Sequence, residues 1–178
     1  IDPRTAYQIV SMLQGVVQRG TAAYSVGAQI PKPLAGKTGT SQDAQSVWFI
    51  GFSPDLAAGV YVGFDNPRTL GPHEQGATVA APIFRDFMKE ALADAPPTPF
   101  RIAPGIEEVT IDWKSGNPVP PGTPGAITEA FKAGTAPGES NGPAPIGDEG
   151  APVSAAAGNP GQTNAPARTV GEGTGGLY

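Results

Sequence analysis

The chain has 178 residues, a formal net charge of −5, 25 glycines, 21 prolines and no cysteine. The acidic balance argues against a nucleic-acid partner, and the lack of cysteine excludes disulfides and cysteine-based metal sites. Fourteen prolines lie at or after Pro96, so the foldable body is expected in roughly residues 1–95. Residues 139–178 have almost no large apolar side chain, which predicts a Pro/Gly/Ala-rich, largely disordered tail.

The first predicted element is a helix that starts near Asp2 and stops at Gly20. Asp2 can cap the first amides, and Pro3 suits the first helical position. Apolar side chains recur at intervals of three and four residues and define one face: Ala6, Ile9, Val10, Leu13, Val16 and Val17. This face is expected to pack against a sheet.

Three strands follow in the prediction. A short strand covers about Leu34 to Thr40, and "SVWFIGF" and "AAGVYVGF" form two more around a turn that contains Pro54. The second and third strands are almost continuously apolar, so both of their faces are expected to be covered. Trp48 and Phe49 are therefore predicted in the core.

The segment "GATVAAPIFRDFMKEALADA" returns to a helical period, with Pro82 in its first turn. Its predicted buried stripe contains Ala80, Ile83, Phe84, Phe87, Met88, Ala91 and Leu92. Together these elements predict an α+β fold, an antiparallel sheet packed with helices. Residues 96–138 are read as an extended trailing segment, in which "GIEEVTIDW" suggests a strand and "AITEAFKAG" shows a faint helical period.

Lys37 stands between a glycine and a threonine in "PLAGKTGTSQ", which fits two kinds of site. A phosphate-binding loop needs a glycine five residues before Gly36 and a helix after Thr38. Position 31 is Pro31, and the chain continues into strands. A nucleotide site is therefore excluded.

On an exposed strand, the same four residues suit an anionic peptide end. Alternation places the hydroxyls of Thr38 and Thr40 on one face, where they can hold a carboxylate. Lys37 adds positive charge, and Gly39 permits the close approach of another chain. The backbone amide of Thr40 can stabilise an oxyanion.

The wider string "GKTGTSQDAQSVWFIGFSPDLAAGVYVGFDNP" resembles the penicillin-binding transpeptidase domain. The resemblance rests on a Lys37–Gly39 strand, a "WFIG" strand, an "SPD" turn and a "VGFD" strand, followed by "GATVAAPIFRDFM" as the family's C-terminal helix. The segment "EAFKAGTAP" is similar to the stretch that trails this domain in class A, bifunctional members. The chain thus looks like the C-terminal portion of a serine β-lactamase/transpeptidase-like fold.

The resemblance implies a D,D-transpeptidase or carboxypeptidase in which a serine attacks the D-Ala–D-Ala bond of a peptidoglycan stem peptide, and in which β-lactams acylate the same serine. Lys37 and the Thr40 amide would be catalytic, and Thr38, Gly39 and Thr40 would bind substrate. No cofactor or metal is implied. In a class A member, a glycosyltransferase domain and a membrane anchor would precede this region, at the periplasmic face of the inner membrane.

Two motifs of the family are missing. No serine in the sequence has a lysine three residues on, and the S-x-N formed by Ser115 lies downstream of Lys37 in a turn-like stretch. The nucleophile is therefore expected in a preceding part of the same domain. This remainder of the transpeptidase domain is then a partner that the chain needs for activity. We expect the 178-residue chain alone to be inactive.

Three alternatives stay open at this stage. A β-lactamase or carboxypeptidase shares the Lys-Thr-Gly strand, a non-catalytic penicillin-binding-like sensor keeps the fold for ligand binding, and a cell-wall-binding module would use the tail. The single histidine, His73, lies in "LGPHEQG" and is read as a solvated loop residue rather than a catalytic or metal-binding one.

Overall fold

The computed structural model describes residues 1–139 and Gly142, which belong to one compact unit, Ile1–Ile146. The predicted tail lies outside the described residues, apart from Glu139 and Gly142. The helices and strands in chain order are α1 Pro3–Gln18, β1 Ala35–Thr40, β2 Ser46–Phe52, β3 Ala57–Gly63, α2 Ala81–Ala91, β4 Ile106–Asp112 and β5 Ala126–Lys132. Within the described part, no helix has the length and hydropathy needed to cross a bilayer.

Helix α1 begins as predicted. The Asp2 carboxylate accepts hydrogen bonds from the backbone N–H groups of Arg4 (2.8 Å) and Thr5 (3.3 Å). These bonds satisfy two of the amides that have no partner inside the helix. The predicted apolar face is only partly right, because Ile9 is 49% exposed whereas Tyr7 is buried.

The reason for this difference is the trailing segment, which packs on the side of α1 that carries Tyr7. The Tyr7 hydroxyl donates to the Glu108 carboxylate over 3.2 Å, and the Gln8 amide donates to the Ala130 carbonyl over 3.1 Å. A period in the sequence shows which residues share a face but does not show which partner covers them.

Strands β1, β2 and β3 form an antiparallel sheet in that order. Val47 and Phe49 of β2 are fully buried, while Trp48 and Ile50 point to the other face and are 44% and 55% exposed. The prediction that both faces are covered, and that Trp48 is a core residue, is therefore wrong for the described residues. Trp48 instead contacts the Tyr61 ring of β3, with 4.7 Å between ring centroids and 54° between ring planes.

Helix α2 covers the buried face of this sheet. Phe84 and Met88 are fully buried, and the Phe84 ring lies 4.7 Å from the Phe49 ring. Of the predicted stripe, Ile83 and Phe87 are each half exposed, so the buried face is narrower than predicted. A single turn of π-helix, Gly76–Ala80, leads into α2.

Strands β4 and β5 pair antiparallel into a separate two-stranded sheet, with Ile111 opposite Ile127. The strand expected in "GIEEVTIDW" is confirmed. The faint helical period of "AITEAFKAG" is wrong, because residues 126–132 form β5. Pairing with β4 supplies hydrogen bonds to the backbone of β5, and such tertiary contacts readily override a weak helical preference.

Candidate substrate-binding edge

The four residues Lys37 to Thr40 lie on β1, which is the outer strand of its sheet among the described residues. The Ser41 amide donates to the Ser46 carbonyl over 2.9 Å, just beyond the end of the ladder. Because hydrogen-bonded and non-hydrogen-bonded pairs alternate in antiparallel sheets, Lys37 and Gly39 bond to β2. The backbone N–H and C=O groups of Thr38 and Thr40 therefore face the open edge.

The Lys37 ammonium group bends along this edge. Its Nζ atom donates to the Thr38 carbonyl over 2.9 Å and lies 3.4 Å from the Thr38 hydroxyl. The same hydroxyl is 3.3 Å from the hydroxyl of Thr21, which follows the end of α1. A positive charge and two hydroxyl groups thus meet where an extended ligand would lie along β1.

Thr40 is exposed, and its hydroxyl oxygen accepts a hydrogen bond of 3.1 Å from the Gly76 amide. The hydroxyl hydrogen is therefore left to donate to a ligand. Gly76 lies over the backbone of Gly39 and Trp48. A Cβ atom at position 76 would be 2.6 Å from the Trp48 carbonyl oxygen and 2.8 Å from that of Gly39.

The structure thus brings Lys37, Thr38 and Thr40 to one open edge, with Gly39 between them. Sequence reasoning missed Thr21 and Gly76, which hold the two threonine hydroxyls. No local sequence pattern marks either residue as part of the site. Thr21 simply follows the glycine just beyond the end of α1, and Gly76 lies 36 residues after Thr40. Only the tertiary fold brings them to the strand.

The other residues that the sequence raised lie elsewhere. Ser115 is in the turn after β4, where its amide (2.8 Å) and hydroxyl (2.9 Å) both donate to the Asp112 carboxylate. These bonds, with help from Lys114, lower the pKa of Asp112. His73 is an exposed loop residue with a positive φ of 70°.

A metal site is not formed by the described residues, which contain no cluster of three His, Asp or Glu side chains. The open edge instead offers an ammonium group, two hydroxyls and unpaired backbone amides. This set suits a ligand that combines a carboxylate with an extended peptide backbone.

Comparison with known proteins identifies the family of this chain. Residues 1–89 match the family described as the penicillin binding protein transpeptidase domain. Penicillin-binding protein 1A of Rickettsia bellii is 47% identical over 131 residues, which is 74% of this chain and 16% of that relative. The protein of the same name from Pseudomonas aeruginosa is 43% identical over 161 residues, 86% of this chain and 20% of that relative.

A crystal structure of penicillin-binding protein 1A from Haemophilus influenzae superposes with a TM-score of 0.65 at 34% identity. It covers 75% of this chain, and this chain covers 21% of it. The chain thus spans about a fifth or less of the length of these relatives. Their names do not favour the sensor, β-lactamase or wall-binding alternatives, and the antiparallel α+β fold is confirmed. The chain belongs to the penicillin-binding protein transpeptidase domain family.

Proposed function

We propose that this chain forms one wall of the active site of a peptidoglycan D,D-transpeptidase. The observation that carries the proposal is the open edge of β1, where the Lys37 ammonium lies against Thr38 and the Thr40 hydroxyl is held by the Gly76 amide. A stem peptide that ends in D-Ala–D-Ala is extended and carries a terminal carboxylate, and a β-lactam imitates that end.

In the proposed reaction, a serine hydroxyl contributed by another part of the domain attacks the carbonyl carbon of the penultimate D-Ala. The serine proton passes through a base to the leaving amine of the terminal D-Ala. The amine of a second stem peptide then attacks the acyl-enzyme, releases the serine and forms the cross-link. Water in place of that amine gives the carboxypeptidase reaction.

In that scheme, the residues of this chain bind the substrate and stabilise the oxyanion. Thr38 and Thr40 hold the terminal carboxylate, and Lys37 supplies the counter-charge and favours proton transfer beside it. The Thr40 amide, which faces the open edge, donates to the oxyanion. A preorganised amide of this kind typically contributes about 10²- to 10³-fold in rate. Gly39 keeps the strand narrow where the substrate passes.

The same proposal assigns residues 1–95 to the transpeptidase domain, residues 96–138 to a trailing segment and residues 139–178 to a tail. It places the chain in a class A protein with a glycosyltransferase domain and a membrane anchor, at the periplasmic face of the bacterial inner membrane. The penicillin-binding protein 1A relatives, each several times longer than this chain, support this assignment.

Covalent labelling with a fluorescent penicillin tests the proposal. The full-length protein is expected to be labelled, Lys37→Ala is expected to slow labelling strongly, and the 178-residue chain alone is expected to stay unlabelled. Lys89→Ala, on the exposed end of α2, is the matched lysine control. Labelling of the isolated chain, or equal rates for the two variants, would contradict the proposal.

A further inference from the structure

We infer that the β4–β5 sheet carries a saccharide-binding basin, separate from the open edge of β1. The basin has a volume of about 520 Å³, within the usual range for small-ligand sites. It is lined by Arg19, Trp113, Gly125, Ala126, Ile127 and Glu129. The inference does not depend on the proposed transpeptidase activity.

Trp113 is the main apolar surface of this basin. Its side chain is 61% exposed, although tryptophan is a residue that proteins usually cover. The Trp113 amide donates to the Gly125 carbonyl over 3.1 Å, which extends the β4–β5 ladder by one pair. Alternation then places Trp113 on the same face as Ile127 and Glu129.

Gly125 fixes the indole in place. A Cβ atom at this position would lie 3.1 Å from Cδ1 and 3.3 Å from Nε1 of Trp113, and Gly125 has a positive φ of 82°. The indole therefore packs with one edge against the turn, the Lys114 Nζ atom lies 5.4 Å from its ring centroid, and more than half of the side chain stays exposed. The indole N–H makes no hydrogen bond to the described residues, so it is free to donate to a ligand.

The polar side of the basin is the ion pair between Arg19 and Glu129. Its two charges cancel, so the side chains that line the basin carry no net charge and suit a neutral ligand. The guanidinium group has five N–H donors and the carboxylate has two acceptor oxygens, and the pair does not use all of them. Adjacent donors and acceptors match neighbouring hydroxyl groups, each of which both donates and accepts.

A pyranose ring combines the two required surfaces, since its C–H face stacks on an indole and its hydroxyls reach the ion pair. An apolar protein partner would instead bury the remaining donors and acceptors without partners, at a cost of about 1–3 kcal/mol for each group. The chemistry of the basin therefore favours a neutral saccharide over an apolar docking partner.

The chain offers a built-in test because it contains only two tryptophans, Trp48 and Trp113. Trp48→Phe leaves Trp113 as the sole indole, and Trp113→Phe leaves Trp48. The test is a titration of both variants of the 178-residue chain with triacetylchitotriose and with cellotriose, followed by tryptophan fluorescence. A saturable change is expected in Trp48→Phe and no saturable change in Trp113→Phe, with folding checked by circular dichroism.

A second pair of variants tests the polar side in the Trp48→Phe background. Arg19→Ala is expected to weaken binding about 10-fold, as the loss of a hydrogen bond from a charged group does. Arg68→Ala, in the exposed loop after β3, is the matched control and should bind like its parent. No saturable change with either saccharide, equal changes in both tryptophan variants, or a change that tracks self-association would overturn the inference.

Discussion

The contact between Gly76 and β1 gives the most specific prediction about what holds the candidate site. Gly76→Ala places a Cβ atom 2.6 Å from the Trp48 carbonyl oxygen, 2.8 Å from the Gly39 carbonyl oxygen and 3.1 Å from the Gly39 nitrogen. All three are backbone atoms of a paired ladder, so they cannot rotate away. The π-helical turn or the strand must shift, which also breaks the hydrogen bond from the Gly76 amide to Thr40.

The expected magnitude follows from these two effects. Overpacking of this kind costs about 1–3 kcal/mol, and the lost hydrogen bond adds about 1 kcal/mol. The free energy of unfolding should therefore fall by about 2–4 kcal/mol. For a unit of this size, the corresponding fall in Tm is about 5–15 °C.

The assay is thermal and urea unfolding followed by circular dichroism, with Gly59→Ala as the matched control. Gly59 is on β3, and a Cβ atom there would be 3.6 Å from the nearest atom of Ile50, an ordinary contact. This control should be neutral or stabilise by up to about 1 kcal/mol. The reasoning fails if Gly76→Ala costs less than about 0.5 kcal/mol, or no more than Gly59→Ala.

Three further predictions concern the rest of the unit. Ala44 has a positive φ of 49°, a backbone conformation that is strained for alanine and not for glycine. Ala44→Gly should therefore raise the free energy of unfolding by about 0.5–1 kcal/mol in urea. A lower free energy of unfolding would contradict this reasoning. Lys32 donates to backbone carbonyls at the end of α2, including that of Ala95 (2.7 Å). Lys32→Met should therefore lower the free energy of unfolding by about 1–3 kcal/mol, and Lys32→Arg should lower it less. Equal losses in the two variants would exclude a role for the positive charge. Burial, followed by the Glu108 charge, raises the pKa of Tyr7 in the folded state. The unfolded chain then loses this proton first as the pH rises above about 10, and stability falls in that range. Above about pH 10, the urea midpoint of Tyr7→Phe should therefore fall less than that of the wild type. Identical pH profiles for the two proteins would refute the raised pKa of Tyr7.

The local elements followed largely from sequence because their signals are local. Asp2 and Pro3 mark the start of α1. The β-branched and aromatic residues of β2 and β3 favour strands whichever faces they bury. Burial was less predictable, because it depends on what lies across each face. Trp48 and Phe49 are equally apolar neighbours, but only Phe49 meets α2.

The candidate site was predictable to the same extent. The residue types of Lys37 to Thr40 indicate an anion-binding strand, and the structure places them at an open edge. The supporting contacts of Thr21 and Gly76 join distant parts of the chain, so no sequence period reveals them. The β5 strand was missed because its pairing with β4 outweighs a weak local preference.

The central claim is that the Thr38 hydroxyl binds the carboxylate of the substrate. The most direct measurement is the second-order rate constant of acylation of the full-length protein by a β-lactam and by its carboxylate methyl ester, for wild type and Thr38→Val. The account predicts that Thr38→Val slows acylation by the free carboxylate about 10-fold or more, and leaves acylation by the ester unchanged. An equal loss with both compounds would contradict it.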